Sequence, residues 1–326
     1  MKLTCPHCSQ VLTILSDHQI TCSSGHIFPI VLGIPDLRVT TDTWIDFQHD
    51  RELANELATH YHTDTFEQLV IRVWQKRANV PADILERRLR GIRDSHLKYQ
   101  SELAPNGWLG KQIGQGKCLE IGCGTGGFLV AAAPRLPQAT GIDVSLTWLV
   151  TAKKRLEEKG LSAQLICACV EHLPFAAESF DCAVSFDVLE HVGSPEVMME
   201  QTSKVLISGG RFFATTPNRF SLSAEPHVGI WGVGWIPVKW QARYVMWRKG
   251  LAYPHTRLLS VWELHQLLRQ FTLEIATPKL WEGEVSNFSP NKRRVAALYN
   301  QLLKMTIFAK CLLPVAPFFQ ITAQKR

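Results

Sequence analysis

Two short stretches of this chain combine residue types and spacings that could do chemistry. The first is Leu119-Glu120-Ile121-Gly122-Cys123-Gly124-Thr125-Gly126-Gly127. Its glycines let the backbone turn sharply and approach a ligand with no side chain in the way. Asp143 follows at the end of a second apolar run, where a carboxylate can accept two hydrogen bonds from a ribose diol. A dinucleotide and other adenosyl ligands share that geometry. Glu120 has no use for a diphosphate; its negative charge suits a cationic ligand, such as a sulfonium carrying an ammonium group.

The second stretch is Cys5-Pro6-His7-Cys8, followed after thirteen residues by Cys22-Ser23-Ser24-Gly25-His26. Two pairs of soft ligands on tight turns can fill the four tetrahedral positions of zinc, so Cys5, Cys8, Cys22 and His26 are the expected ligands of a structural ion. His7 and His18 are alternatives to His26, although the turn spacing favours His26. A segment this small cannot build a core, which gives a metal staple a physical purpose.

The elements that must position these residues fall into three segments. Residues 1–38 form a zinc-ribbon-like module, with a hairpin over Val11-Leu12-Thr13-Ile14-Leu15 and Gln19-Ile20-Thr21. Residues 39–112 carry apolar side chains at helical intervals and read as a helical cap or a packing connector. From residue 113 to 326 strands alternate with helices, the pattern of a doubly wound α/β sheet. Its seven strands are expected at 118–121, 139–143, 164–168, 180–186, 210–216, 271–276 and 318–323, with a substrate insertion at about 219–260. Ligands in such sheets bind beyond the carboxyl ends of the strands, where the winding reverses.

At 326 residues, with 46% hydrophobic and 20% charged residues, the chain is long enough for one substantial core plus an appended unit and is not a disordered polymer. The net charge of +6 is dispersed, so nucleic-acid binding is permitted but not favoured. The amino terminus has no apolar signal core, and nine cysteines, an odd number, argue for reduced thiols and a cytoplasmic location. Leu302 to Phe319 is broken by Lys304, Lys310, Pro314 and Pro317, which leaves peripheral membrane contact open but not a span.

The chain resembles the class I S-adenosylmethionine-dependent methyltransferases, particularly the group containing ubiquinone and menaquinone biosynthetic enzymes. The resemblance rests on the stretch from Leu119 to Gly126, Gly141-Ile142-Asp143-Val144-Ser145, Glu171-His172-Leu173-Pro174-Phe175, Ser179-Phe180-Asp181, Asp187-Val188-Leu189-Glu190-His191-Val192 and Thr216-Pro217-Asn218. It implies S-adenosylmethionine as cofactor. Glu120, Gly122, Gly124, Thr125 and Gly126 would contact its amino-acid part, Asp143 and Val144 its ribose, and Asp187 would also border it. Val170 and Glu171 would line the adenine; the family often has an aspartate where this chain has Cys169, which shifts adenine recognition to those two positions.

Methyl transfer is an in-line displacement in which the protein aligns the acceptor and, for a hydroxyl, removes its proton. His191 and His227 are the candidate bases. Some ubiquinone-pathway relatives hold a divalent ion in the first of these regions, so Asp187, Glu190 and His191 are read either that way or as helix caps. Trp231, Trp235, Trp240 and Trp247 could wall an apolar or aromatic acceptor pocket or pack the insertion onto the sheet. The expected reaction is methylation, at oxygen, of a small or lipid-linked acceptor. The rival is base methylation of ribosomal RNA, because an RNA guanine methyltransferase family places a similar zinc ribbon before this domain. A non-enzymatic binding partner is a third class.

Overall fold

A computed structural model describes residues 2–39, 45–77, 82–253, 256–285 and 289–326. The chain opens with strands β1 (Leu12–Ser16), β2 (Gln19–Cys22), β3 (Ile27–Val31) and β4 (Ile34–Pro35), then helices α1 (Phe47–His60), α2 (Phe66–Arg77) and α3 (Ala82–Leu103). Alternation follows: β5 (Cys118–Ile121), α4 (Gly127–Ala132), β6 (Ala139–Asp143), α5 (Leu146–Glu158), β7 (Gln164–Cys167), β8 (Phe180–Phe186), α6 (Pro195–Val205) and β9 (Leu206–Pro217). The rest comprises α7 (Val238–Lys249), α8 (Val261–Leu267), β10 (Phe271–Ala276), α9 (Glu282–Val285), α10 (Pro290–Leu302), α11 (Thr306–Leu312) and β11 (Phe318–Lys325).

The expected doubly wound fold is present as a seven-stranded mixed sheet in the order β10-β11-β9-β8-β5-β6-β7. Parallel pairing joins β5 to β6 and β6 to β7, while β11 runs antiparallel to β9 and β10. All four residues of β5 are buried, as parallel strands covered on both faces require. The winding starts at β5, runs out to β7 and returns on the other side of β5 at β8, so the glycine turn after β5 lies at the reversal. The amino-terminal strands form a separate four-stranded antiparallel sheet, two strands more than the hairpin read from sequence. Strand β3 contains Pro29, and the two-residue β4 is too short to carry a periodic signal.

The chain divides into two compact units, residues 1–184 with 200–210, and residues 185–199 with 211–326. In the first, the amino-terminal sheet and α1–α3 pack onto the α/β layers. Leu37 donates its backbone N–H to Cys167 at the end of β7, and Thr4 donates to Pro174. Tyr61 Oη donates to Glu157 at 2.6 Å, and the Phe66 amide donates to Glu158, so two residues of α5 hold α1 and α2. In the second unit, α8 starts with a capping box between Ser260 and Glu263, and β11 alternates buried and half-buried side chains. No helix among the described residues is long and apolar enough to cross a membrane.

Candidate active site

The glycine turn is shaped by its own backbone and by Asp143. Gly122 and Cys123 both donate to the Ile142 carbonyl at 2.9 Å, which ties the exit of β5 to the end of β6. Asp143 Oδ2 accepts from Gly124 N and Oδ1 from Ser145 N, both at 2.8 Å. The carboxylate therefore bridges the turn and the start of α5. Gly124 has φ +47°, and a Cβ built on it would meet nothing within 4 Å, so the turn borders open space. Gly127 is required for a different reason: a Cβ there would lie 2.5 Å from Ser95 Oγ of α3.

Glu120, the expected source of negative charge, lies in β5 just before the turn. It is buried, Oε2 has no hydrogen-bond partner among the described residues, and burial followed by the nearby Asp143 charge pushes its carboxyl well above the usual range. The Arg155 guanidinium and the Leu129 amide work against that rise. An orphaned buried carboxyl oxygen beside an open glycine turn fits a ligand carrying an ammonium group, the amino-acid end of S-adenosylmethionine. Thr125 contributes its carbonyl to Arg155 Nη1 at 3.2 Å. Val170 and Glu171 lie in a single 3₁₀ turn, Val170–His172, half-buried, with Cys169 buried immediately before it.

Behind this turn sits a buried network that sequence reading missed. Asp50 of α1 accepts from Ser145 Oγ, the Leu146 amide and Thr147 Oγ1, and so anchors the start of α5 just beyond Asp143. Arg38 pairs with Asp36 at 2.7 Å and Asp50 at 2.8 Å, and donates to the carbonyl of Val144 at 2.9 Å. Burial opposes the charge on Asp36, but Arg38 outweighs it and holds the carboxyl below its usual range. No spacing rule joins residues 36, 38, 50 and 144; a buried polar residue is visible only once burial is known.

The four expected zinc ligands converge. Cys5 Sγ and Cys22 Sγ lie 3.6 and 3.3 Å from His26 Nδ1, Cys8 Sγ lies 3.6 Å from Cys22 Sγ, and all four donor atoms fall within 4.8 Å of one another. Tetrahedral zinc with S and N ligands has edges of about 3.5–3.8 Å, so the donor set fits the ion. The Gln10 backbone amide, then Ser24, lowers the Cys8 thiol to about 6, toward the thiolate a metal needs. His7 stacks on Phe28 instead of joining the cluster.

In the second unit, His191 and His227, 36 residues apart in sequence, meet with Nε2 atoms 3.0 Å apart. His227 Nδ1 is in short contact with Glu225 Oε1, while Glu225 Oε2 accepts from the Val228 amide at 2.8 Å. Burial works against charge on His227, but Glu225, with Glu190 and Asp187, outweighs it and raises its pKa. Glu190 is fully buried, accepts from Thr216 Oγ1 at 3.0 Å, and keeps Oε1 without a hydrogen-bond partner among the described residues, 3.9 Å from His227 Nε2. Burial, then Asp187, pushes its carboxyl up to about 8.

The helix-capping role expected of Asp187, Glu190 and His191 is not what they do. The 3₁₀ turn Leu189–His191 has no side-chain cap, and it is Ser194 that accepts from an amide in the first turn of α6. Asp187 sits at φ +57° and accepts from Thr215 Oγ1 at 2.9 Å. Glu225, which orients His227, was the missed member; its place two residues before a proline-stiffened histidine was the available signal. Trp231, Trp235, Trp240 and Trp247 are exposed by 61, 49, 47 and 75%, while the Trp235 ring packs on Phe220 just after β9 at 5.2 Å.

The methyltransferase domain family matches residues 119–214. A ubiquinone biosynthesis O-methyltransferase of Methylobacterium is 32% identical over 181 residues, which cover 53% of this chain and 70% of that one. One from Idiomarina loihiensis is 33% identical over 128 residues, 37% of this chain and 51% of its own, so the chain spans about half the length of that relative. Among solved structures, an S-adenosylmethionine-dependent methyltransferase of Thermotoga maritima aligns with a TM-score of 0.46 at 20% identity, covering 75% of this chain and 97% of that one. With its domain match and a relative aligned over most of that relative's length, the chain belongs to the class I S-adenosylmethionine-dependent methyltransferases.

Proposed function

We propose that this chain methylates an oxygen of a small, apolar, lipid-linked acceptor of quinone-like character in the cytoplasm, with the His227 and His191 pair as the base and peripheral contact with a bilayer where such an acceptor resides. The observation that carries the reading is the Glu225-His227-His191 array. Bound S-adenosylmethionine supplies an electrophilic methyl group on a good leaving group. The residues of the chain do the rest. Asp143, held by Gly124 and Ser145, would take the ribose; Val144 would border it; Val170 and Glu171 would line the adenine. The glycine turn and Glu120 would take the amino-acid end, and Asp187 would border the cofactor as well.

Glu225 keeps the proton of His227 on Nδ1, so in the neutral ring Nε2 is the acceptor; it faces His191 Nε2 at 3.0 Å, and a substrate hydroxyl would take the place of that contact. A phenolic hydroxyl needs that acceptor, because its ordinary pKa near 10 leaves it protonated at neutral pH. The relatives named ubiquinone biosynthesis O-methyltransferases support oxygen as the atom and a quinone-like acceptor as the class. Cys5, Cys8, Cys22 and His26 are proposed to hold a structural zinc ion.

The test incubates the chain with methyl-labelled S-adenosylmethionine and, separately, a polyprenylated catechol and ribosomal RNA. Label in the catechol methyl ether is the expected result; label in RNA, or cofactor binding without any transfer, overturns it. Activity lost to a chelator and restored by magnesium but not by zinc would replace the base with a cation at Glu190, His191 and His227, which offer ligand atoms within 4.8 Å of one another.

A further inference from the structure

The second unit carries a surface whose composition is unusual for water. Between Glu225 and Glu263 the sequence has no acidic residue, but it has Lys239, Arg243, Arg248, Lys249 and Arg257. Helix α7 lies in this segment and buries only Gln241 and Val245. On the opposite face, Trp240, Arg243 and Trp247 recur at helical spacing. An aromatic stripe ordinarily faces a core, whereas here both tryptophans are open to solvent. Arg243 and Lys239 lie 5.7 and 6.0 Å from the Trp240 ring, and Arg248 lies 5.8 Å from that of Trp247.

A second acid-free segment follows Glu284. It carries Lys292, Arg293, Arg294, Lys304 and Lys310, with Val295, Met305 and Ile307 exposed by 68, 55 and 76% on α10 and around α11. Each segment is tied to the Ser221-Leu222 stretch, just after β9. The Leu222 amide donates to the Val315 carbonyl at 3.1 Å, and the Trp231 and Trp235 indoles donate to the carbonyls of Leu222 and Ser221 at 3.2 Å. Lys249 Nζ donates to the Val228 carbonyl at 2.6 Å, so the end of α7 is tied to the residue after His227.

We infer that the exposed face of α7 centred on Trp240, Arg243 and Trp247 docks onto the surface of a bilayer containing anionic lipid, with the basic segment of α10 and α11 as a second point of contact. Indole rings settle at the headgroup level, basic side chains meet the lipid phosphates, and aliphatic tips reach the acyl boundary. The exposed Val295, Met305 and Ile307 favour lipid over a nucleic acid, whose phosphodiester backbone has no use for aliphatic groups. The inference deepens the lipid-linked reading of the acceptor and rests on it only for its purpose, because vesicle binding is measured without methyl transfer.

Sedimentation of the full chain with phosphatidylcholine vesicles, and with vesicles of equal parts phosphatidylcholine and phosphatidylglycerol, tests it. Binding is expected to the mixed vesicles, weakening with salt. Each basic residue at the surface contributes about fivefold, so Lys239→Gln with Arg243→Gln lowers affinity by about twenty-five-fold. Trp240→Ala with Trp247→Ala lowers it by about tenfold or more. Because these side chains are exposed, the melting temperature stays unchanged. Brominated phosphatidylcholine in the mixed vesicles quenches tryptophan fluorescence of the unmutated chain, a readout that needs no variant. Equal binding to both vesicle types at low salt, no binding to either, variants that bind like the parent, or retention by duplex RNA in place of vesicles overturns the inference. Vesicle binding without catechol methylation refutes the proposed reaction but not this surface.

Discussion

The carboxylate of Asp143 and those beside His227 show two ways of preparing a site. Asp143 is held at both oxygens by backbone amides from residues close in sequence, so its position is set as soon as β5, β6 and the glycine turn form. Glu190, Glu225, His191 and His227 come from two turns far apart along the chain, and one buried oxygen of Glu190 is left without a hydrogen bond. The first arrangement uses local backbone geometry and can be conserved in form whatever the acceptor. The second collects titratable groups whose environments push their protonation apart, which is how acid and base roles are created. The difference teaches that the proposed cofactor site is a property of turns, while the proposed base is a property of the assembled unit.

Several perturbations would break or sharpen that contrast. The largest effect is expected from metal loss, because zinc binding in small modules contributes of order 10 kcal/mol of folding free energy. Cys5→Ser with Cys8→Ser should release the ion and disorder the amino-terminal sheet, seen by metal analysis and proteolysis; chemistry abolished with that sheet intact would contradict a structural role. Next, His227→Ala should lower kcat by about 10²–10⁴-fold while cofactor affinity holds, the loss general-base removal produces. A comparable loss of cofactor affinity would erase the distinction between the two sites.

Arg38→Met should destabilise the chain by about 3–5 kcal/mol in denaturant unfolding, since it removes the buried cation shared by Asp36 and Asp50 and leaves Asp36 with the partly exposed Arg51. If the network also holds the turn after Asp143, cofactor affinity falls in the folded variant. Asp143→Ala should weaken S-adenosylmethionine by about a hundredfold in calorimetry, for two hydrogen bonds to a charged acceptor at about 1.5–3 kcal/mol each, partly offset by water. An unchanged affinity would remove Asp143 from the ribose site. The smallest effect concerns pH. His227 is raised, and a base must be neutral to act, so activity should rise with pH through a midpoint above 6.5. Glu225→Gln removes the carboxylate that outweighs burial and should move that midpoint down. A profile that does not move would assign the proton to another group.

Much of the fold was legible. The bounds of β5, β6, β8 and β10 match the runs read from the sequence: β5, β6 and most of β8 are buried on both faces and show as near-continuous apolar runs, whereas β10 alternates exposed with more buried residues. The small amino-terminal sheet was half-read, since its third strand holds a proline and its fourth is two residues long. Glu120 was legible as a carboxyl in the right turn but its burial and the upward push on its pKa were not, because desolvation depends on what covers a residue and not on its type. The tryptophans of the insertion were visible as a cluster, yet their exposure was not.

By itself, the sequence determined the doubly wound sheet, the glycine turn with its partner Asp143, and a Cys₃His set that closes locally. Each rests on interactions between residues near in the chain or on the period of a strand. Only the tertiary structure decided that His191 and His227 touch, that Glu225 orients one of them, that Asp50 and Arg38 stand behind the ribose turn, and that Trp240 and Trp247 face outward. Those depend on which distant surfaces pack together and which remain exposed, and burial is a property of the folded whole that no spacing of residue types encodes on its own.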